Sequence, residues 1–279
     1  NLLNQAKEAQ KEKKFQDAIT LYKQAIGEDD THIEAHNAFG FMLYNLKRYS
    51  DAVLVFQSQL SKHPDYAEGY SNLGASFSKL KRYSEAISCY EKAISLKPNY
   101  AGAYTNMGNA YNKIDEFELA VGYHRKAIAL DDKSANHFSN LGTAYKKLGR
   151  MHKAREAYEK AIEIDENHIN AHFDLATVYL HLEMYAQGWE HYEWRFRKEE
   201  MFDHLKTHQA IFTKPLYKGG SLKGKRVLVH TEQGYGDNIQ FARYIPELIR
   251  AGASVVIYCR QGLKELYQDS FKIDAVIER

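Results

Sequence analysis

The stretch "AEGYSNLGASFSKLKRYSEAISCYEKAISLKPNY", residues 67–100, decides how the chain is read. It aligns without gaps on "AGAYTNMGNAYNKIDEFELAVGYHRKAIALDDKS" (101–134), and both align on 135–168. The frame extends back to 33–66 and a shortened 1–32, and forward to 169–200, so a 34-residue period runs through six units. Within one unit Tyr70, Leu73, Gly74 and Phe77 share a helical face, and Tyr83, Ala86, Tyr90 and Ala93 mark a second helix. Small residues recur at fixed places (Gly74, Gly108, Gly142; Ala86, Ala120, Ala154) and let the paired helices approach, while the aromatics fill the remaining space. Such a hairpin cannot bury its apolar face alone, so the copies must stack into a solenoid.

The totals agree with a mainly α protein. Only four prolines in 279 residues, with 27% charged side chains, favour long helices. A net charge of +2 argues against nucleic acid or a membrane surface as the main partner. No apolar run is long enough to span a bilayer. Cys89 and Cys259 lie far apart and read as reduced thiols of a cytoplasmic protein. The chain opens on Asn1 and reads as a trimmed or partial sequence.

The repeat resembles the tetratricopeptide (TPR) repeat over residues 1 to about 200. What the resemblance implies is a right-handed superhelix whose concave groove, lined by the first helix of each pair, takes an extended peptide or another protein. The sixth position of the units reads Asn4, Ala38, Asn72, Asn106, Asn140 and Asp174. Stacking puts these in a row, and an Asn amide offers both donors and an acceptor to a peptide backbone. The asparagine ladder of O-GlcNAc transferase superhelices is similar, which makes Asn72, Asn106, Asn140 and Asp174 candidate groove residues. The alternative is that Asn is habitual here in TPR sequences. Two basic columns run beside the row: Lys79, Lys113 and Lys147 at the thirteenth position, and Lys14, Arg48, Arg82 and Arg150 at the sixteenth. They could steer an acidic segment, or simply be solvated helix ends near a carbonyl pole. His168 and His172 stand four apart, but His172 falls where other units place Tyr70, Tyr104 and Phe138, so it is expected to pack and not to bind metal. No cofactor is expected.

The last unit departs from the pattern. "AQGWEHYEWRFRKEE" crowds Trp189, Tyr192, Trp194 and Phe196 together, which predicts a buried junction with the segment beyond it. Residues 201–224 read as a connector, with one short helix expected in it. From 225 the grammar changes: strands at 226–231, 254–259 and 274–278 alternate with a helix from Asn238 to Gly252 and a second helix in "QGLKELYQDS". This predicts a parallel, Rossmann-like sheet of doubly wound type, incomplete at 225–279. Gly234 and Gly236 match the first glycines of a dinucleotide fingerprint, but Ile239 stands at the third and no acid follows the second strand. Walker, zinc-deaminase and nucleophile-elbow patterns are absent.

The segment "YKGGSLKGKRVLVHTEQGYGDNIQFARYIPELIRAGASVVIYC" resembles the start of heptosyltransferase-like (family 9) glycosyltransferases, and "GWEHYEWRF" resembles the junction of TPR fusions to such enzymes. The resemblance covers 188–279. It implies the acceptor-side half of a two-Rossmann GT-B enzyme of bacterial type, with a nucleotide sugar as donor in the longer parent. The family's loop acid would map onto Asp237 as general base, with Gln233, Gly234 and Gly236 contacting acceptor or phosphate. Asp237 is also expected to cap the helix that begins at Asn238. The chain alone then reads mainly as a binding module, because the donor half is missing. The competing reading is a non-enzymatic scaffold whose α/β segment packs or oligomerises, and an exposed half-domain would favour a homo-oligomer.

Overall fold

The computed structural model describes residues 1–197, 217, 219–231 and 234–278, with the backbone alone described at 236–237. The chain divides into two compact units, Asn1–Gln209 and Ala210–Arg279.

Unit one is built from helical hairpins: α1 (Leu2–Lys11) with α2 (Phe15–Glu28), α3 (Ile33–Asn45) with α4 (Tyr49–Lys62), α5 (Ala67–Lys79) with α6 (Tyr83–Leu96), α7 (Ala101–Lys113) with α8 (Phe117–Leu130), α9 (Ala135–Lys147) with α10 (Met151–Ile164), and α11 (Ile169–His181) with α12 (Tyr185–Tyr192). They stack into a helical superhelix. One local device makes every hairpin. The first helix ends on a residue in the left-handed region: Lys13, Lys47, Lys81, Asp115 and Glu183 at φ of 60–63°, and Gly149 at 71°. The next N–H then reaches back to a carbonyl five residues earlier, as in Lys14 to Ala9 (2.9 Å), Arg82 to Phe77 (2.9 Å) and Glu116 to Tyr111 (3.0 Å). This is the Schellman closure, which satisfies carbonyls the helix end would otherwise leave open. The residue that closes it is already the N-cap of the second helix.

The cores follow from the period. A large ring from the second helix (Tyr22, Phe56, Tyr90 and Tyr158, with His124 in the same column) is fully buried against the first helix. Glycine is required opposite it. A Cβ at Gly40, Gly74, Gly108 or Gly142 would lie 2.5, 2.6, 2.6 or 2.8 Å from the ring of Phe56, Tyr90, His124 or Tyr158. Burying each such ring contributes roughly 2 kcal/mol.

The terminal aromatics close their own repeat. After α12 a 3₁₀ turn (Glu193–Arg197) brings Trp194 back over α11, where its ring lies 3.7 Å from that of His172 at 4°. Trp189 remains 52% exposed. Trp194 thus stacks on His172 of its own repeat, and the junction expected with the segment beyond falls on 198–216, outside the described residues.

Unit two contains β1 (Arg226–His230), α13 (Tyr235–Ala242), α14 (Ile245–Arg250), β2 (Ser254–Cys259), α15 (Lys264–Ser270) and β3 (Ala275–Glu278). The strands form a parallel sheet of order β1-β2-β3, with Val227 beside Val255 and Ile257 beside Val276. One face is a core of Val255, Ile257, Cys259, Ile245, Leu263, Tyr267 and Val276. Leu228 and Ile277 remain 42% and 48% exposed. Among the described residues the helices cover one face of this small parallel sheet, in successive strand–helix–strand units. The helix expected from 238 to 252 is two helices. Pro246 lacks an N–H and forces a break at Arg243–Tyr244, then serves in the first turn of α14. Gly252 ends the second piece at φ 88°. The connector is outside the described residues except 217 and 219–224.

Candidate functional site

The sixth-position residues lie on the first helices α5, α7, α9 and α11, one per repeat, each half-buried. The side-chain amides of Asn72 and Asn140 make no hydrogen bond among the described residues, and that of Asn106 meets only the Ser71 hydroxyl, at 3.5 Å. The neighbouring position is consumed internally: Thr105 Oγ1 donates to the Ala101 carbonyl at 3.2 Å and bonds His137 Nδ1 at 2.9 Å. The amides are thus held by the helices and left with hydrogen-bonding capacity. Asp174 differs from them. Lys146 Nζ donates to its carboxylate at 2.6 Å, with both side chains about a quarter exposed. A partner backbone would have to compete with that pair.

The two basic columns separate. Lys79, Lys113 and Lys147 are exposed at the carboxyl ends of their helices, where a cation complements the carbonyl pole. No carboxylate pairs with them among the described residues, and Lys79 lies 5.9 Å from the Tyr44 ring. The sixteenth-position column is at the opposite pole. Lys14, Arg48, Arg82 and Arg150 are the N-caps of α2, α4, α6 and α10, where a cation opposes the helix dipole. Carboxylates one turn on offset this: Arg48 Nε donates to Asp51 at 2.6 Å, and Arg82 pairs with Glu85.

The histidines are structural. His168 caps α11, its Nδ1 accepting from Ala171 N at 3.0 Å. His172 is buried; its Nε2–H donates to the Glu166 carbonyl (3.0 Å), so its Nδ1 accepts from His191 Nδ1–H (2.8 Å). Burial holds both imidazoles below their ordinary range. Among the described residues no group of three metal-ligating side chains converges. The buried residue that sequence reasoning passed over is His124. Burial, with a smaller push from His137, lowers its pKa to about 4. Its Nδ1 has no partner among the described residues, and its Nε2 lies 3.3 Å from Asn112 Nδ2. The signal was present in the 34-residue period, which puts a histidine in a column of Tyr and Phe.

In unit two the loop after β1 enters α13. Gly234 is the N-cap, its carbonyl accepting from Asn238 N (3.1 Å) and Asn238 Nδ2 (2.7 Å). The expected cap at Asp237 is therefore corrected. The helix begins earlier in the chain than the sequence implies, because Gly234 and Asn238 close its first turn, and Asp237 stands third within the helix. Gly236 lies in the same turn, and Gln233 is outside the described residues. At the carboxyl ends of β1 and β2, Thr231 Oγ1 and Arg260 Nε are buried without a partner among the described residues.

Profiles of the tetratricopeptide repeat family match residues 9–75, 67–100, 89–121, 135–168 and 157–190. The chain belongs to the tetratricopeptide repeat family. Among solved structures, TPR unit one is similar to MamA at 26% identity, with 62% of this chain and 97% of that one covered and a TM-score of 0.51. PilW, a widely conserved type IV pilus biogenesis factor, shares the TPR fold at 21% identity, with 75% and 96% covered and a TM-score of 0.64. Protein FlbA of Caulobacter vibrioides is 35% identical over 68 residues, 24% of this chain and 10% of that protein. The match therefore spans about a tenth of that relative's length. Among the described residues no helix is long and apolar enough to cross a membrane.

Proposed function

We propose that the TPR array is a protein-interaction module that holds an extended peptide or protein segment along its first helices. The carrying observation is the once-per-repeat row of half-buried amides, Asn72, Asn106 and Asn140, with capacity to spare. A peptide backbone presents donors and acceptors to match it. Lys79, Lys113 and Lys147 flank the row as unpaired cations and add steering toward a segment with acidic side chains. Asp174 completes the row where Lys146 releases it.

The test is a peptide library selected on the whole chain at about 0.3 M salt, where surface charge is screened over a few ångströms. Selected peptides should lose at least tenfold in affinity when Asn72, Asn106 and Asn140 are replaced by Ala. Unchanged affinity would refute the groove reading.

A second reading concerns unit two, with domain limits near 200 and 225. It is the first, acceptor-side part of a heptosyltransferase-like GT-B glycosyltransferase domain. In a longer cytoplasmic, bacterial parent this domain would glycosylate the segment the repeats hold, using a nucleotide sugar. The support is the resemblance of "EQGYGD" together with two orphaned polar atoms, on Thr231 and Arg260, at the carboxyl ends of adjacent parallel strands. Open α/β sheets place ligands outside those ends. Asp237 then takes the acceptor proton, and Gln233, Gly234 and Gly236 shape the loop around the acceptor or its phosphates. Nucleotide-sugar turnover by the full-length protein should fall at least a hundredfold in Asp237→Asn; equal turnover removes Asp237 as base. The scaffold reading, in which unit two only packs or oligomerises, predicts no turnover in either.

A further inference from the structure

The hairpin turns between first and second helices all lie along one edge of the solenoid, because the hairpins stack in the same sense. In the first three repeats these turns read "KEKK" (11–14), "NLKR" (45–48) and "KLKR" (79–82). They hold eight cations against one carboxylate, Glu12, in a chain whose net charge is only +2. Four of the eight are neutralised locally: Lys11 by Glu8 (2.6 Å), Lys14 by Glu12 (2.7 Å), Arg48 by Asp51 (2.6 Å), and Arg82 by Glu85. Lys79 belongs with the cations beside the asparagine row, and Lys13, Lys47 and Lys81 are exposed and pair with no carboxylate among the described residues.

Folding does not favour this arrangement. Lys13, Lys47 and Lys81 hold φ of 60–61°, a conformation that strains an L-residue and leaves glycine unstrained. Gly149 occupies the same place in the fifth repeat with open space where its Cβ would be. Three successive repeats therefore keep a strained lysine where glycine would stabilise the turn, and each strained lysine adds an unpaired charge to the same edge. Asp115 and Glu183 hold the same conformation in the fourth and sixth repeats, so what sets the first three turns apart is the unpaired positive charge they carry.

We propose that this edge docks a short acidic segment of a partner protein, separately from the groove. A long uniform polyanion fits less well. Beyond three repeats it would run onto Asp115 and Glu116, and at the end of the array onto Glu183, which hold the same turn positions. A second copy of the chain fits less well too. The opposite edge has acids at Glu28, Asp29 and Asp30 and again at Glu163, Asp165 and Glu166, but Asp30 and Glu68 already pair with Lys62 and Lys97 in between.

The test is fluorescence anisotropy with the whole chain and a labelled peptide of alternating glutamate and serine. Its glutamine counterpart and oligothymidylate serve as competing probes. The acidic peptide should bind at low salt and the glutamine peptide should not. Lys13→Gln, Lys47→Gln and Lys81→Gln together should weaken binding about tenfold, two- to threefold per charge. The same change at the exposed lysines Lys23, Lys92 and Lys133 should leave it unaltered. Glycine at 13, 47 and 81 should weaken binding equally while the protein melts higher, which excludes misfolding as the cause. Equal affinity of wild type and the glutamine triple overturns the proposal. So does oligothymidylate bound as tightly and lost in the same variant, or a self-association that disappears with the three lysines. Alanine at Asn72, Asn106 and Asn140 should not alter this binding, so failure of the edge and failure of the groove are told apart.

Discussion

His124 should make the fourth repeat acid-labile, and the structure sets the size of the effect. The imidazole is fully buried on α8, where it lies against Gly108 of α7. Its folded-state pKa is about 4, against 6.5 for an ordinary histidine. Because the folded value is the lower, the unfolded chain binds the proton first. The contribution of neutral His124 is therefore complete above pH 6.5, drains away as pH falls, and is gone near pH 4. At about 1.4 kcal/mol for each tenfold change in proton affinity, the loss is about 3 kcal/mol. His137, His172 and His191 are lowered by burial as well and add to the total acid sensitivity. A His124→Phe variant isolates the one contribution, since Phe56 fills the same column in the second repeat. Urea denaturation of both proteins at pH 7 and pH 4, followed by far-UV circular dichroism, should show wild type losing about 3 kcal/mol more than the variant. Parallel losses would refute the assignment of a buried, neutral His124.

Other substitutions probe the turns, the glycine column and the candidate sites. Lys81→Gly should stabilise by about 1 kcal/mol, and Gly149→Ala should destabilise by a similar amount, both read by thermal melting. Gly74→Ala should cost about 1–3 kcal/mol, because its Cβ would lie 2.6 Å from the Tyr90 ring; a second change, Tyr90→Leu, should recover part of the loss. Replacing Asn72, Asn106 and Asn140 by Ala should move the melting temperature little, since these amides are barely engaged within the fold, while lowering groove affinity at least tenfold.

Unit one was legible because its information repeats. Each position is stated several times in a 34-residue frame, so the ring column, the opposing glycines and the turn residues could be read by comparing copies. Features outside the frame were harder to read. The polarity of the sixteenth-position cations depends on the turn conformation, and only the left-handed φ at Lys47 or Lys81 shows that the next residue caps a new helix. Trp194 follows the last copy, so no other unit revealed that its ring turns back onto His172. In unit two, composition located the strands to within a residue, but the sequence could not say that the helix begins at Tyr235 with Gly234 as its N-cap, before Asp237. The proline break at Pro246 was open to reading and was outweighed by the apolar spacing across it.

The central claim is that partner segments lie along the first helices. It is tested most directly by photo-crosslinking from a benzophenone side chain introduced singly at 72, 106, 140 and, as a control on a second helix, at the exposed position of Arg125. A library-selected peptide should be captured from 72, 106 and 140 and not from 125. Capture from 125 with none from the asparagine row would contradict the claim.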